Sequence, residues 1–134
     1  MDLTERAREV FSQDAFASLT GIEIVSAGEH CSQCSLKLER RHLNARAVAM
    51  GGVLYTLADL AAAVASNSDC LDGDLQWVSL VSTAHYLYPA FVSTLIADCK
   101  AVKHGRSTAL YRTEITSLNN GKLLAVVETT MSHI

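Results

Sequence analysis

The hydrophobic positions along this chain change period more than once. Near the N-terminus, Leu3, Ala7, Val10 and Phe11 recur at helical spacing behind Asp2, and Glu5, three positions on from Asp2, completes a capping box. A short amphipathic helix to about Gln13 is predicted. From Gly21 the spacing drops to two. Ile22 and Ile24, then Cys34, Leu36 and Leu38, alternate with polar residues across a break at Ser26-Ala27-Gly28-Glu29, which is the pattern of a two-stranded hairpin. His42 to Met50 shows no period and reads as an irregular connection. Gly51-Gly52 then opens a helix to about Ser66 that is apolar on every side, so it should be buried rather than laid on a surface. Alanines crowd its second half and give it a slim body.

The remainder reads as extended chain. Asp72-Gly73-Asp74 is a turn; Trp77 to Tyr88 is one run, closed by Pro89; Phe91 to Lys103 is the next, ending at His104-Gly105. Arg106 to Ser117 carries Ala109, Tyr111 and Ile115 on its apolar side, Asn119-Asn120-Gly121 is a hairpin signal, and Leu123, Ala125, Val127 and Met131 line a last strand. The order is a helix, two strands, one wholly apolar helix and four strands. An antiparallel sheet wrapped around that helix would bury it, an α+β architecture in a single domain over residues 1–134.

Composition agrees with a folded chain and removes several partners. Hydrophobic residues make up 49% and charged residues 19% of the 134, and the formal charge is −3. No basic stripe dominates, so nucleic acid is not expected as a partner. The longest apolar run, Val53 to Ala65, is broken by Asp59 and falls short of the roughly 20 residues that cross a bilayer. The start Met1-Asp2-Leu3-Thr4-Glu5 lacks the basic and apolar regions of a secretory signal, so a cytoplasmic protein is expected. Cys31, Cys34, Cys70 and Cys99 fit that compartment as free thiols. The pair Cys31-Ser32-Gln33-Cys34 lies on a predicted strand, where positions three apart face opposite sides, and no second pair follows to complete a zinc set. No two histidines share ligand spacing, His30 and His133 have no supporting neighbours in sequence, and no metal is expected.

One residue stands out against this background. Asp59 is the only charge between Ala47 and Ser68. An unpartnered carboxylate in a buried helix is costly, so folding alone would not select it and a catalytic role is indicated. Gly51 and Gly52 open the same helix, where free backbone N–H groups and the helix dipole favour a developing oxyanion. Gly51 and Asp59 are eight residues apart, about 12 Å along an α-helix. Both an oxyanion donor and a base or nucleophile must come within roughly 3 Å of the reacting group, so one helix cannot supply both to one carbonyl. Two antiparallel copies can. A site shared between subunits is therefore predicted.

The segment His42-Leu43-Asn44, followed by Met50-Gly51-Gly52-Val53-Leu54-Tyr55-Thr56-Leu57-Ala58-Asp59, resembles the central segment of hotdog-fold thioesterases of the PaaI (phenylacetyl-CoA thioesterase) type. Val78-Ser79-Leu80 through Tyr86-Leu87-Tyr88-Pro89-Ala90, the turn Lys103-His104-Gly105-Arg106-Ser107 and the hairpin at Gly121-Lys122-Leu123-Leu124-Ala125 extend the likeness over most of the chain. The resemblance implies a hotdog sheet, homodimers and often homotetramers, and hydrolysis of an acyl-CoA thioester with no cofactor, CoA being part of the substrate. By the same likeness, Asp59 is the catalytic acid, as nucleophile or as general base. Gly51 is the oxyanion donor, with Gly52 beside it. Asn44 orients water or thioester, and Ser79 supports the site. Lys103, Gly105, Arg106 and Ser107 lie near the CoA pantetheine or phosphates. Met50 borders the thioester, and His42, at the mouth of the loop, is either a substrate-facing replacement for the family's imidazole or, as the commoner reading, a capping or surface residue. Met50 departs from the family, which commonly has His before the two glycines. A non-catalytic acyl-CoA-binding protein is the alternative, and a hotdog dehydratase or hydratase, which uses a proline-rich loop absent here, a weaker one.

Overall fold

A computed structural model describes all residues, Met1 to Ile134. At its centre is the apolar helix, here α3 (Gly51–Ser66), with bounds equal to those expected from its pattern. Around it curves a six-stranded antiparallel sheet made of β1 (Glu23–Gly28), β2 (Cys31–Lys37), β3 (Trp77–Tyr86), β4 (Thr94–His104), β5 (Thr108–Ser117) and β6 (Leu123–His133), in the spatial order β1-β2-β4-β5-β6-β3. Alternation chooses the face. Ser32, Cys34 and Leu36 of β2, and Ala109, Tyr111, Thr113 and Ile115 of β5, point inward onto the helix. Leu57, Ala58, Ala61, Ala62, Val64 and Ala65 answer them from α3 and are fully buried. The alanines permit close approach: the Ser32 hydroxyl of β2 donates to the Ala61 carbonyl at 2.7 Å.

Asn67, just past α3, fixes where β3 begins. Its side-chain N–H donates to Ala63 O (2.9 Å) and Trp77 O (3.2 Å), while its Oδ1 accepts from the N–H groups of Gln76 and Trp77, both at 3.0 Å. One buried amide thereby ties the end of the helix to the start of the strand.

Several elements differ from the pattern-based expectation. The N-terminal helix α1 (Leu3–Phe11) has the predicted capping box, with Glu5 N–H on the Asp2 carboxylate at 2.8 Å, but stops before Gln13. A second helix, α2 (Ala15–Thr20), was not expected; six residues are too few to display a period, and Phe16 and Leu19 lie exposed. β3 ends at Tyr86 because the N–H groups of Leu87 and Tyr88 both turn to the Leu124 carbonyl. β4 starts only at Thr94, after a bend. β5 starts at Thr108 because residues 105–107 form the turn, in which Gly105 N–H meets Thr108 O at 3.0 Å; a Cβ on Gly105 would lie 2.5 Å from that oxygen. Leu123 is exposed, whereas Ala125, Val127 and Met131 are buried as read.

Cys31 and Cys34 take opposite faces of β2, and all four cysteines are free thiols. Burial pushes the Cys34 and Cys99 thiols up to about 12. No helix is long and apolar enough to cross a membrane.

The sheet leaves one side of α3 open. Gly52, Tyr55 and Asp59 are exposed and Thr56 and Ala63 half-buried, a single stripe at helical spacing. This corrects the expectation that Asp59 is buried on all sides. A sheet curved around a helix covers three sides, and in one chain nothing covers the fourth. The neighbouring edge strand β3 is open as well, with Leu80 and Val81 each 60% exposed and its outer edge unpaired.

Candidate active site

Asp59 meets Ser79 on this open side. The Ser79 hydroxyl donates to Asp59 Oδ1 at 3.1 Å and lies 3.5 Å from the Met131 sulfur. Ser79 sits where the β3–β6 register shifts, between Ser79 and Val81, and such a bulge re-aims side chains at the edge of a sheet. The pairing of Asp59 with Ser79 depends on the Asn67 clamp, since that clamp sets which β3 residue passes the middle of the helix.

The other end of β3 reaches the start of α3. Tyr86 donates its hydroxyl to Gly51 O at 3.0 Å, and its ring lies flat enough against Gly51 that a Cβ there would come 3.0 Å from Cζ. Nothing lies within 4 Å of the corresponding point on Gly52, so the two glycines do different things. The first accepts a packed ring; the second faces open space. Met50 is the N-cap and offers no side-chain cap, and the N–H groups of Gly51 and Gly52 have no partner within the chain. Two free N–H groups at the positive end of a 16-residue helix form an anion-favouring pair. They adjoin a mostly apolar cleft of about 340 Å³ formed by Val48, Ala49, Leu54 and the segment Tyr86–Ala90. Tyr86 was not among the expected site residues. Its place in the family-like segment ahead of Pro89 was visible; its contact with Gly51 was not.

The loop before α3 is held by Asn44. Its Oδ1 accepts from Arg46 N–H (2.9 Å) and Val48 N–H (3.4 Å), which forces Ala47 into a left-handed conformation at φ 61°. The side-chain N–H₂ of Asn44 makes no hydrogen bond within the chain. His42 takes the capping role rather than the substrate-facing one. It is 4% exposed, its Nδ1 accepts from Glu39 N–H at 2.9 Å, and its Nε2 therefore carries the proton and lies 2.7 Å from Thr20 O. Both ring nitrogens are occupied in holding the loop to α2, so no nitrogen remains for a thioester. Met50 is 54% exposed at the helix start.

Lys103, Gly105, Arg106 and Ser107 lie elsewhere in the chain. Their turn is at the Trp77 end of the sheet, where Ser107 O accepts from His133 N–H, and no hydrogen bond or ion pair joins it to Asp59 or Gly51. Lys103 and Arg106 are exposed and take part in none of the chain's ion pairs. A second carboxylate, Asp14, was missed. Burial first, and the charge of Asp59 second, raise its carboxyl above the usual range, so it lies close enough to sense Asp59. Although it is the N-cap of α2 it makes no capping bond, and no spacing along the chain connects it to Asp59.

The model of the thioesterase superfamily matches residues 47–124, the stretch from the Asn44 loop through α3 to the last hairpin. The chain belongs to the thioesterase superfamily. It is 31% identical to a putative esterase of Archaeoglobus fulgidus over 98% of its own length and 84% of that protein. It is also 31% identical to the acyl-coenzyme A thioesterase PaaI of Escherichia coli, over 84% of this chain and 79% of that one. The solved structure of the E. coli PaaI protein of the phenylacetic acid degradation operon superposes with a TM-score of 0.86 at 28% identity, covering 99% of this chain and 96% of that one. The α+β fold of this superfamily member is thus the hotdog fold, with α3 as its central helix.

Proposed function

We propose that this protein hydrolyses acyl-CoA thioesters at a site that two chains complete. The observation that carries the proposal is the arrangement along α3: Asp59 held by Ser79 at mid-helix, and the unpartnered N–H groups of Gly51 and Gly52 at its start. About 12 Å of helix separates the two, too far for both to act on one carbonyl. A homodimer formed through the open β3 edge, with Leu80 and Val81 covered, brings the helices of two chains side by side in antiparallel directions. Asp59 of the partner subunit then faces Gly51.

In this reading the thioester oxygen lies against Gly51 N–H, with Gly52 beside it, and the Asn44 side-chain N–H₂ orients the reacting group. As general base, Asp59 takes a proton from water as the water oxygen bonds to the carbonyl carbon. The oxyanion formed is held by the helix-start N–H groups. The carbon–sulfur bond then breaks, and the proton from Asp59 passes to the departing CoA thiolate. As nucleophile, Asp59 itself bonds to the carbon, CoA leaves, and water cleaves the resulting anhydride. Single-turnover hydrolysis in heavy-oxygen water separates the two when the anhydride opens at the Asp59 carboxyl carbon: the label then enters Asp59 in the nucleophile route and the product acid in the general-base route. Covering the Asp59 stripe in the dimer excludes bulk water, leaving the reacting water, and strengthens each of these interactions. No cofactor is required beyond the CoA carried by the substrate. Lys103 and Arg106, free of ion pairs, suit its phosphates, and the free thiols and CoA substrate suit a cytoplasmic enzyme.

Release of CoA thiol from a panel of aryl, short, medium and long acyl-CoAs tests the activity. Wild type should turn over at least one class, and Asp59→Asn should lose about 10²–10⁴-fold in rate. Saturable binding of acyl-CoA with no turnover, equal in both proteins, would replace hydrolysis with a binding function.

A further inference from the structure

At the end of the fold opposite Gly51, beyond the last turn of α3, three side chains from separate segments converge. His30 comes from the β1–β2 turn, Asp69 from the segment after α3, and His104 from the end of β4, and one ligand-capable atom of each lies within 4.8 Å of the other two. We propose that His30, Asp69 and His104 form a binding site for a divalent transition-metal ion of the zinc class, separate from the Asp59 site.

The spacing suits side chains that share one ion. His30 Nε2 and Asp69 Oδ2 are 3.5 Å apart, beyond a good hydrogen bond. Two ligands held at 2.0–2.1 Å around one tetrahedral ion stand about 3.3 Å apart. His30 Nε2 is buried and has no hydrogen-bond partner, a costly state that an ion would relieve. His30 also holds φ at 52°, a left-handed conformation that few residues other than glycine and asparagine adopt, and this brings its ring into the cluster. His104 has the support typical of a metal-bound imidazole: its Nδ1 lies 2.7 Å from the buried Tyr111 hydroxyl, which orients the ring and leaves Nε2 for an ion. Asp69 has a side chain 58% exposed, so an ion has a route in.

Two imidazoles and one carboxylate select zinc-class ions over calcium or magnesium, which require many oxygen ligands. The fourth position is open to water. The two imidazole rings are stacked, 3.7 Å between centroids and 13° apart. Because ring lone pairs lie in the ring plane, binding a shared ion makes the rings fan apart by rotation. With Tyr111 holding His104, that rotation falls on His30. The bound ion ties the β1–β2 turn, the segment after α3 and the β4–β5 turn together.

The test uses the full chain freed of metal by a chelator, titrated with Zn²⁺ by calorimetry and with Co²⁺ by visible absorption. The expected result is one ion per chain with a rise in Tm. His30→Asn, which suits the left-handed backbone, together with Asp69→Asn and His104→Gln, should each weaken binding at least tenfold. Tyr111→Phe should weaken it about tenfold through ring orientation alone. Asp59→Asn should bind as wild type does. Absence of saturable binding at one ion per chain overturns the site, and so does a loss of less than tenfold in any of the three ligand variants. Asp69→Asn alters a largely exposed side chain, so that arm does not depend on the fold tolerating a core change.

Discussion

If Gly51 and Asp59 of different chains serve one carbonyl, two variants that are each inactive should restore each other. Asp59→Asn removes the base or nucleophile and should lower the rate about 10²–10⁴-fold. Gly51→Pro removes the oxyanion N–H and should lower it about 10²–10³-fold. The backbone accepts this proline: position 51 is the first of α3, where proline is favoured, and Met50 before it lies at φ −64°, ψ 141°, the region a residue preceding proline prefers. The added ring crowds Tyr86, where a Cβ would already be 3.0 Å from Cζ, and that contact yields by a tilt of the exposed tyrosine. Every site draws one residue from each chain. In an equal co-expressed mixture the chance that a site receives an intact Gly51 and an intact Asp59 is one half times one half, so activity should be about one quarter of wild type, whether or not dimers associate further. The assay is CoA thiol release from the mixture, with exchange between chains verified by mass spectrometry of the native assembly. A fully mixed sample no more active than either parent would refute the shared site, because a site within one chain leaves every chain broken.

Ser79→Ala removes the hydroxyl that holds Asp59 at 3.1 Å, and kcat/KM should fall about tenfold or more with the melting temperature little changed; a change below twofold would show that Asp59 needs no such support. Asn67→Ala leaves the N–H groups of Gln76 and Trp77 without partners at the helix–strand junction, and urea unfolding should report a loss of about 3 kcal/mol, together with reduced activity as β3 loosens. Cys34 and Cys99, buried with thiols pushed up to about 12, should resist alkylation in the native protein near neutral pH and react only after unfolding; rapid labelling of all four native cysteines would contradict their burial. The raised Asp14 carboxyl disfavours its charged form in the fold, so stability is lost as pH rises through the carboxylate range toward that higher value. Asp14→Asn should therefore raise Tm slightly near neutral pH and leave it unchanged in acid, with the opposite pattern counting against a partly buried, raised Asp14 carboxyl.

The chain's local chemistry already determined a good deal. The apolar run after Gly51 specified a central helix, and its bounds came out as read, because a glycine pair and a polar Ser-Asn-Ser end are local stop signals. Alternation specified the inward faces of β2 and β5, since period-two patterning belongs to a strand whatever it pairs with. The oddity of Asp59 and its distance from Gly51 were also legible, because helical rise is the same in every helix. What the tertiary structure decided were facts that depend on residues far apart in the chain. Whether Asp59 is covered depends on how far the sheet curves, and the sheet leaves its stripe open. Whether His42 is free depends on α2 supplying the Thr20 carbonyl, a partner from a helix too short to announce itself. Ser79 reaches Asp59 because Asn67 sets the start of β3, and Tyr86 reaches Gly51 from the same strand's other end. Asp14 within electrostatic reach of Asp59, and His30 stacked on His104 next to Asp69, are meetings of separate segments. Periodicity reports which way a side chain faces within its own element. Which other element it faces is determined only when the sheet closes around the helix.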